Sequence, residues 1–120
     1  MGKTTLVLGA SENPERYSNR AVHRLVEHGH PVWAVGRREG MIGEQPIRVV
    51  LPAGTAIDTV TLYLNARNQE AWEKPVLDLA PRRIIFNPGA ENERLAEAAR
   101  ARGIEVVEGC TLVMLGTGQY

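Results

Sequence analysis

Short aliphatic runs that alternate with helix-spaced apolar residues constrain this chain more than any other feature. Residues 4–8, 31–35, 57–64, 83–87 and 104–107 are rich in Val, Ile, Leu and Thr and are bounded by glycine, proline or polar residues. Their length suits strands, and their nearly continuous apolar character suits strands buried on both faces of a sheet. Between the first two runs, Ala21, Val22, Leu25 and Val26 recur at helical spacing, with Ser18 or Asn19 placed to cap the start and Gly29 to end it. Strand, helix and strand within about thirty residues make a βαβ unit.

The pattern continues. Residues 68–79 read as a helix through Ala71, Trp72, Val76 and Leu79, with Pro75 starting a new turn or kinking it. Residues 91–102 form an Ala-rich helix that presents Leu95, Ala98 and Ala99 and stops at Gly103. Residues 36–54 carry glycines, two prolines and little periodicity, so they read as a connection with a short extended piece at 47–51. Strands alternating with helices call for right-handed crossovers and a parallel sheet covered on both sides. The expected fold is therefore α/β: a Rossmann-like three-layer sandwich with a five-stranded, mainly parallel sheet.

At 120 residues the whole chain, 1–120, reads as one domain around one core. With 5% aromatic residues, that core must be built from Val, Leu, Ile and Ala. Lys plus Arg and Asp plus Glu number 14 each, so the broad positive field of a nucleic-acid or anionic-membrane binder is missing and neither partner is expected. The apolar runs are shorter than a membrane span, and with one cysteine the chain reads as cytoplasmic and reduced.

Any anion site must then be local. In open parallel sheets ligands bind beyond the carboxyl ends of the strands where strand order reverses, here expected at the loops after the first and fourth strands. The first loop, Gly9-Ala10-Ser11-Glu12-Asn13-Pro14-Glu15-Arg16-Tyr17-Ser18-Asn19, offers a glycine for close approach, small neighbours, hydroxyls and an Arg before a helix start. Backbone N–H groups there attract phosphate without net charge; the same residues would also serve a tight turn and a helix cap. The G-x-G-x-x-G fingerprint is absent, and Gly36-Arg37-Arg38 stands where an acid would hold the ribose hydroxyls of NAD. That pair suits the ribose phosphate of NADP or of coenzyme A, or a solvated surface. After the fourth strand, Asn87-Pro88-Gly89-Ala90-Glu91-Asn92 is a second turn, with Glu91 or Asn92 as a helix cap. Asn65-Ala66-Arg67-Asn68-Gln69 after the third strand is a third candidate, read as a loop-to-helix entry rather than a contact.

Gly9-Ala10-Ser11 with Asn13-Pro14 and Arg16-Tyr17-Ser18-Asn19, Gly29-His30, residues 58–63, Phe86-Asn87-Pro88-Gly89 with Glu91-Asn92, and residues 110–114 together resemble the stand-alone CoA-binding domain proteins. These are similar to the nucleotide-binding domain of the succinyl-CoA synthetase α subunit. The resemblance implies a Rossmann-type domain that holds the phosphates and adenosine of coenzyme A. Gly9, Ala10, Ser11, Arg16 and Ser18 match the family's phosphate loop, Gly36 and Arg37 the segment after the second strand, and Asn87 and Gly89 the later loop. Many members have Asn-Pro where this chain has Gly36-Arg37, and Pro75 interrupts a helix that is usually continuous.

No catalytic constellation or metal site is expected. His23, His28 and His30 cluster near the end of the first helix without ligand spacing, and Ser11 and Ser18 lack a nucleophile elbow. Cys110 reads as a small buried hydrophobe or as a thiol able to pair with that of CoA. Trp33 and Trp72 read as packing residues, while Leu112 and Met114 should fold back on the sheet or pack on a second copy in a homodimer. The expected function is non-catalytic binding of coenzyme A or an acyl-CoA, with an NADP-dependent enzyme or a nucleotide-binding interaction protein as alternatives.

Overall fold

The parallel strands expected from the aliphatic runs are all present in a computed structural model, which describes residues 2–120. They are β1 (Thr5–Leu8), β2 (Val32–Val35), β5 (Thr59–Leu62), β6 (Arg83–Phe86) and β7 (Glu105–Glu108). The sheet nonetheless has seven strands rather than five, in the order β3-β4-β2-β1-β5-β6-β7. The additional pair is a hairpin, β3 (Gly40–Ile42) and β4 (Gln45–Arg48), within the segment read as a connection. β4 runs parallel to β2 through Ala34↔Ile47 and Val35↔Arg48, and β3 closes the edge antiparallel to β4.

Physical reasons for missing the hairpin are plain. Each strand buries a single apolar side chain, Ile42 or Ile47, so no run of hydrophobes marks it. Pro46 lies inside β4 but ahead of its Ala34↔Ile47 and Val35↔Arg48 register with β2, so that ladder does not draw on the N–H it lacks. The turn is made by Gly43, at φ +57°, with Glu44. The extended piece expected at 47–51 overlaps β4 only at its last two residues.

Two helical layers cover the sheet. On one face Leu6, Leu8, Val60, Leu62, Ile84 and Phe86 pack with Val76 and Leu77 of α3 (Glu73–Asp78) and Leu95, Ala96 and Ala99 of α4 (Glu93–Ala101). On the other, Val7, Ala34, Ile42 and Ile47 pack with Val22 and Leu25 of α1 (Tyr17–Glu27) and Leu115 of α5 (Thr111–Thr117). Alternate residues of each strand thus feed opposite layers. No helix among the described residues is long and apolar enough to cross a membrane.

The helix expected at 68–79 is divided. It starts as α2 (Ala66–Gln69), tightens into a 3-10 turn at Glu70–Trp72 and resumes as α3, so Pro75 falls in the first turn of a new helix, where its missing N–H costs nothing. The N-cap of α1 is Arg16; Ser18 and Asn19 instead lie buried inside the first turn. Asn92 caps α4, its Oδ1 accepting the Leu95 N–H. α5, which the sequence left as a folded-back tail, lies against α1.

Past α3, Ala80 adopts φ +52°, a left-handed conformation in which its Cβ crowds the backbone. Ala80→Gly is expected to stabilise the fold by about 0.5–1 kcal/mol, because relief of this strain outweighs the added freedom of the unfolded chain. Urea unfolding with an unchanged m-value measures it.

Candidate functional site

Three chain segments converge at the carboxyl end of the sheet, and their approach is close enough to dictate residue type. The carbonyl of Val35, the last residue of β2, accepts N–H groups from both Gly9 and Ala10 at 2.9 Å. A Cβ on Gly36 would sit 2.5 Å from the Ala10 oxygen, so only glycine fits beside the first loop. Gly9 itself has φ +100°, and a Cβ there would lie 3.1 Å from the Tyr63 carbonyl carbon. Gly9 and Gly36 therefore bring the ends of β1, β2 and β5 together.

The first loop is a succession of tight turns. Ser11 Oγ accepts the Asn13 N–H at 3.1 Å, Asn13 Oδ1 accepts the Glu15 N–H at 3.0 Å, and the Asn13 carbonyl accepts the Arg16 N–H at 3.0 Å. From inside α1 the Asn19 amide donates to the Ser11 carbonyl at 2.8 Å, fixing the loop to the helix. Among the described residues, the amides of Ser11, Glu12, Tyr17 and Ser18 have no acceptor. Free N–H groups at the start of an eleven-residue helix form an anion-attracting end. Arg16 and Arg37 are exposed, Ser11 is half-buried and Ser18 is buried. Arg16, Arg37 and Arg38 make no ion pair among the described residues.

Glu12 is the residue the sequence did not single out. Its Oε2 accepts the Met41 N–H at 2.9 Å, and its carboxyl group lies so close to Gly40 that a Cβ there would be 2.5 Å from Cδ. The first loop is thereby tied to the unforeseen hairpin. An isolated Glu in a loop gives no sign of a partner twenty-nine residues away.

Strand order reverses between β1 and β5, so the loop next to the first one follows β5, and the Asn87 turn stands one strand farther out. The missed β4 shifts the strand count and with it the expected position of this crevice. Gly89 is exposed at φ +91° and donates its N–H to Glu91 at 3.0 Å. Asn87 is buried and fully engaged: Nδ2 donates to Thr61 Oγ1 at 2.7 Å and to the Leu62 carbonyl at 2.9 Å, and Oδ1 accepts the Thr111 N–H at 2.9 Å. A hydroxyl contact of 2.7 Å between Thr61 and Thr111 closes the ring and holds α5 to the sheet.

Beside it, the Tyr63 hydroxyl is buried without a hydrogen-bond partner. Burial pushes this phenol up to about 12, although the Thr61 and Thr111 hydroxyls beside it pull the other way. Cys110 is half-buried at the N-cap of α5. Gln69, read from sequence as part of a helix entry, donates to the Leu64 and Ala90 carbonyls at 2.7 Å and accepts from Asn92 at 2.9 Å, joining the turns after β5 and β6. Its register with Trp72, Glu73 and Val76, three, four and seven residues on, is the helix-face signal that marks it as inward. Asn92 also donates to Glu73, whose carboxyl is held below its usual range mainly by its hydrogen bond with Arg94.

Histidines take other places. His28 reaches the Arg24 carbonyl at the end of α1, and His30 lies at the amino end of the sheet. Among the described residues no three His, Cys, Asp or Glu side chains gather as a metal site would require.

Residues 3–116 match a family model described as a CoA binding domain. A crystal structure described as an uncharacterized protein is 46% identical, with 100% of this chain and 99% of that one covered and a TM-score of 0.96. A hypothetical protein from Pyrococcus horikoshii OT3 is 21% identical over 97% of this chain and 83% of its own, with a TM-score of 0.87. The dinucleotide forming acetyl-coenzyme A synthetase 1 of Ca. Korarchaeum cryptofilum, solved with phosphate and ADP, is 12% identical. The match covers 90% of this chain and 26% of the synthetase at a TM-score of 0.73. The last two likenesses are of fold.

Asn87→Ala removes three buried hydrogen bonds and leaves the Thr111 N–H and Leu62 carbonyl short of partners. It is expected to cost about 2–4 kcal/mol in chemical denaturation, well beyond the loss of one exposed amide.

Proposed function

Since this chain belongs to the CoA-binding domain family, we propose that it binds coenzyme A or an acyl-CoA without transforming it, the phosphates at the first loop and the adenosine toward Gly36 and Arg37. The observation that carries this reading is the group of unpaired amides of Ser11, Glu12, Tyr17 and Ser18 beside the start of α1. Arg16 stands at that helix start and supplies a guanidinium to the same anion. The close approach of Gly36 to Ala10 brings the Arg37 backbone next to the loop. Gly89 adds an exposed turn on the far side, whereas Asn87 contributes by fixing that turn through its buried amide.

A non-catalytic role is supported by what the candidate nucleophiles already do. Ser11 Oγ holds the Asn13 amide, Ser18 is buried in α1, and His30 sits at the opposite end of the strands. The segments bearing Arg16, Arg37 and Arg38 also carry Glu12, Glu15 and Glu39, so attraction rests on the placement of donors rather than on net charge. The unpaired guanidinium groups of Arg37 and Arg38 equally suit the 2′-phosphate of NADP, which keeps an NADP-dependent enzyme as the second reading.

Calorimetry with CoA, 3′,5′-ADP and NADP separates these readings. Saturable binding of CoA in preference to NADP is expected; NADP preference supports the second reading, and no binding at millimolar ligand leaves an interaction protein. Arg16→Ala should weaken CoA by about tenfold, the worth of one charge-assisted hydrogen bond, with the melting temperature nearly unchanged.

A further inference from the structure

The opposite end of the sheet holds a buried cation that the nucleotide site does not use. Arg83 opens β6 and is 8% exposed, yet no carboxylate pairs with it among the described residues. Its Nε donates to Thr59 Oγ1 at 3.1 Å, and one terminal guanidinium nitrogen is buried with no partner. A buried guanidinium without an anion or a full set of acceptors is costly, and such a group calls for an explanation.

Around it stand further donors. The Tyr120 ring covers the guanidinium at 4.5 Å from its centroid, and the Tyr120 hydroxyl pairs with Thr5 Oγ1. Lys3 Nζ donates to a backbone oxygen of Tyr120 at 2.6 Å and lies 5.4 Å from the same ring. His30 meets the ring edge at 4.8 Å and accepts the Lys3 N–H at 2.9 Å through Nδ1. Asp58 is the nearby acid; its Oδ1 accepts a hydrogen bond from the Thr59 hydroxyl at 2.7 Å and its Oδ2 is 3.8 Å from exposed Arg82, while the Thr5 hydroxyl donates to the Lys3 carbonyl at 2.9 Å. Burial first, then the charges of Lys3, His28 and Arg83, hold His30 below its ordinary value. The π face of Tyr120 is thus the main electron-rich surface offered to Arg83.

We propose that Arg83 and Lys3 form a second anion site at the amino end of the sheet, plugged by Tyr120 and open to a small oxyanion when that ring swings out. Arg83 supplies the unused N–H donors and Lys3 follows as a point charge, while the Thr5 and Thr59 hydroxyls keep donating to the Lys3 carbonyl and to Asp58 Oδ1. A four-residue strand separates this site from the first loop, a span of about 13 Å, so the two anion sites are distinct.

Inorganic phosphate, titrated at constant ionic strength into the full chain and followed by the ring-proton NMR signals of His30 and Tyr120, tests this. These signals are local to the amino end and do not report phosphate at the first loop. Saturable movement is expected in the wild type. Tyr120→Ala should bind phosphate about tenfold more tightly, as an open site no longer competes with its plug, read at His30. Lys3→Ala should bind about tenfold more weakly. Acetate in place of phosphate tells whether a carboxylate also fits; either anion binding there supports the site. It is overturned if His30 responds to neither anion in Tyr120→Ala, if sodium chloride at matched ionic strength moves it equally, or if Lys3→Ala binds as the wild type does.

Discussion

The double acceptance of the Gly9 and Ala10 amides by the Val35 carbonyl is the contact from which the arrangement at the carboxyl end of the sheet follows. It draws the first loop across the end of β2, and the absence of a side chain at Gly36 lets the Ala10 carbonyl come within reach. With the loop drawn over, its amides turn outward at the start of α1 rather than into the sheet ladder. Both glycines are needed for different reasons: Gly9 for its positive φ and its contact with Tyr63, Gly36 for lack of space alone. Local electrostatics then follow from backbone geometry, so the proposed anion site is compatible with a chain whose charges sum to zero.

Polar residues buried beneath the loops hold this arrangement rigid. Asn87 joins β5, β6 and α5, and Gln69 and Asn92 join the turns after β5 and β6. These groups satisfy backbone atoms at a strand end, in the turns and at helix starts, so loops with little apolar content still have one preferred conformation. At the other end of the strands, Arg83 is satisfied less completely, with Tyr120 in place of a counter-ion.

The five aliphatic runs were legible because a strand buried on both faces must be apolar nearly throughout, as Leu6, Val7 and Leu8 are. The hairpin was not, because Ile42 and Ile47 are its only buried side chains and Pro46 argues against a strand. That omission also displaced the expected reversal of strand order. In the first loop the pattern of small residues, hydroxyls and Arg16 was readable as a turn before a helix, but Arg16 rather than Ser18 or Asn19 takes the N-cap. Asn87 was recognised by its turn, while its three internal hydrogen bonds depend on Thr61 and Thr111, brought near only by the fold. Glu12 acts across a separation that no local spacing encodes, whereas helical register marks Gln69 as inward without revealing its partner at Ala90.

The proposed binding of coenzyme A sets its phosphates on backbone amides at the carboxyl end of the sheet. Mapping amide chemical shifts during a CoA titration addresses those groups directly. The expected result is saturable, one-to-one movement of the Ser11, Glu12, Tyr17 and Ser18 amide signals, accompanied by Arg37. Saturation with those four signals unmoved, or no response at millimolar CoA, would contradict it.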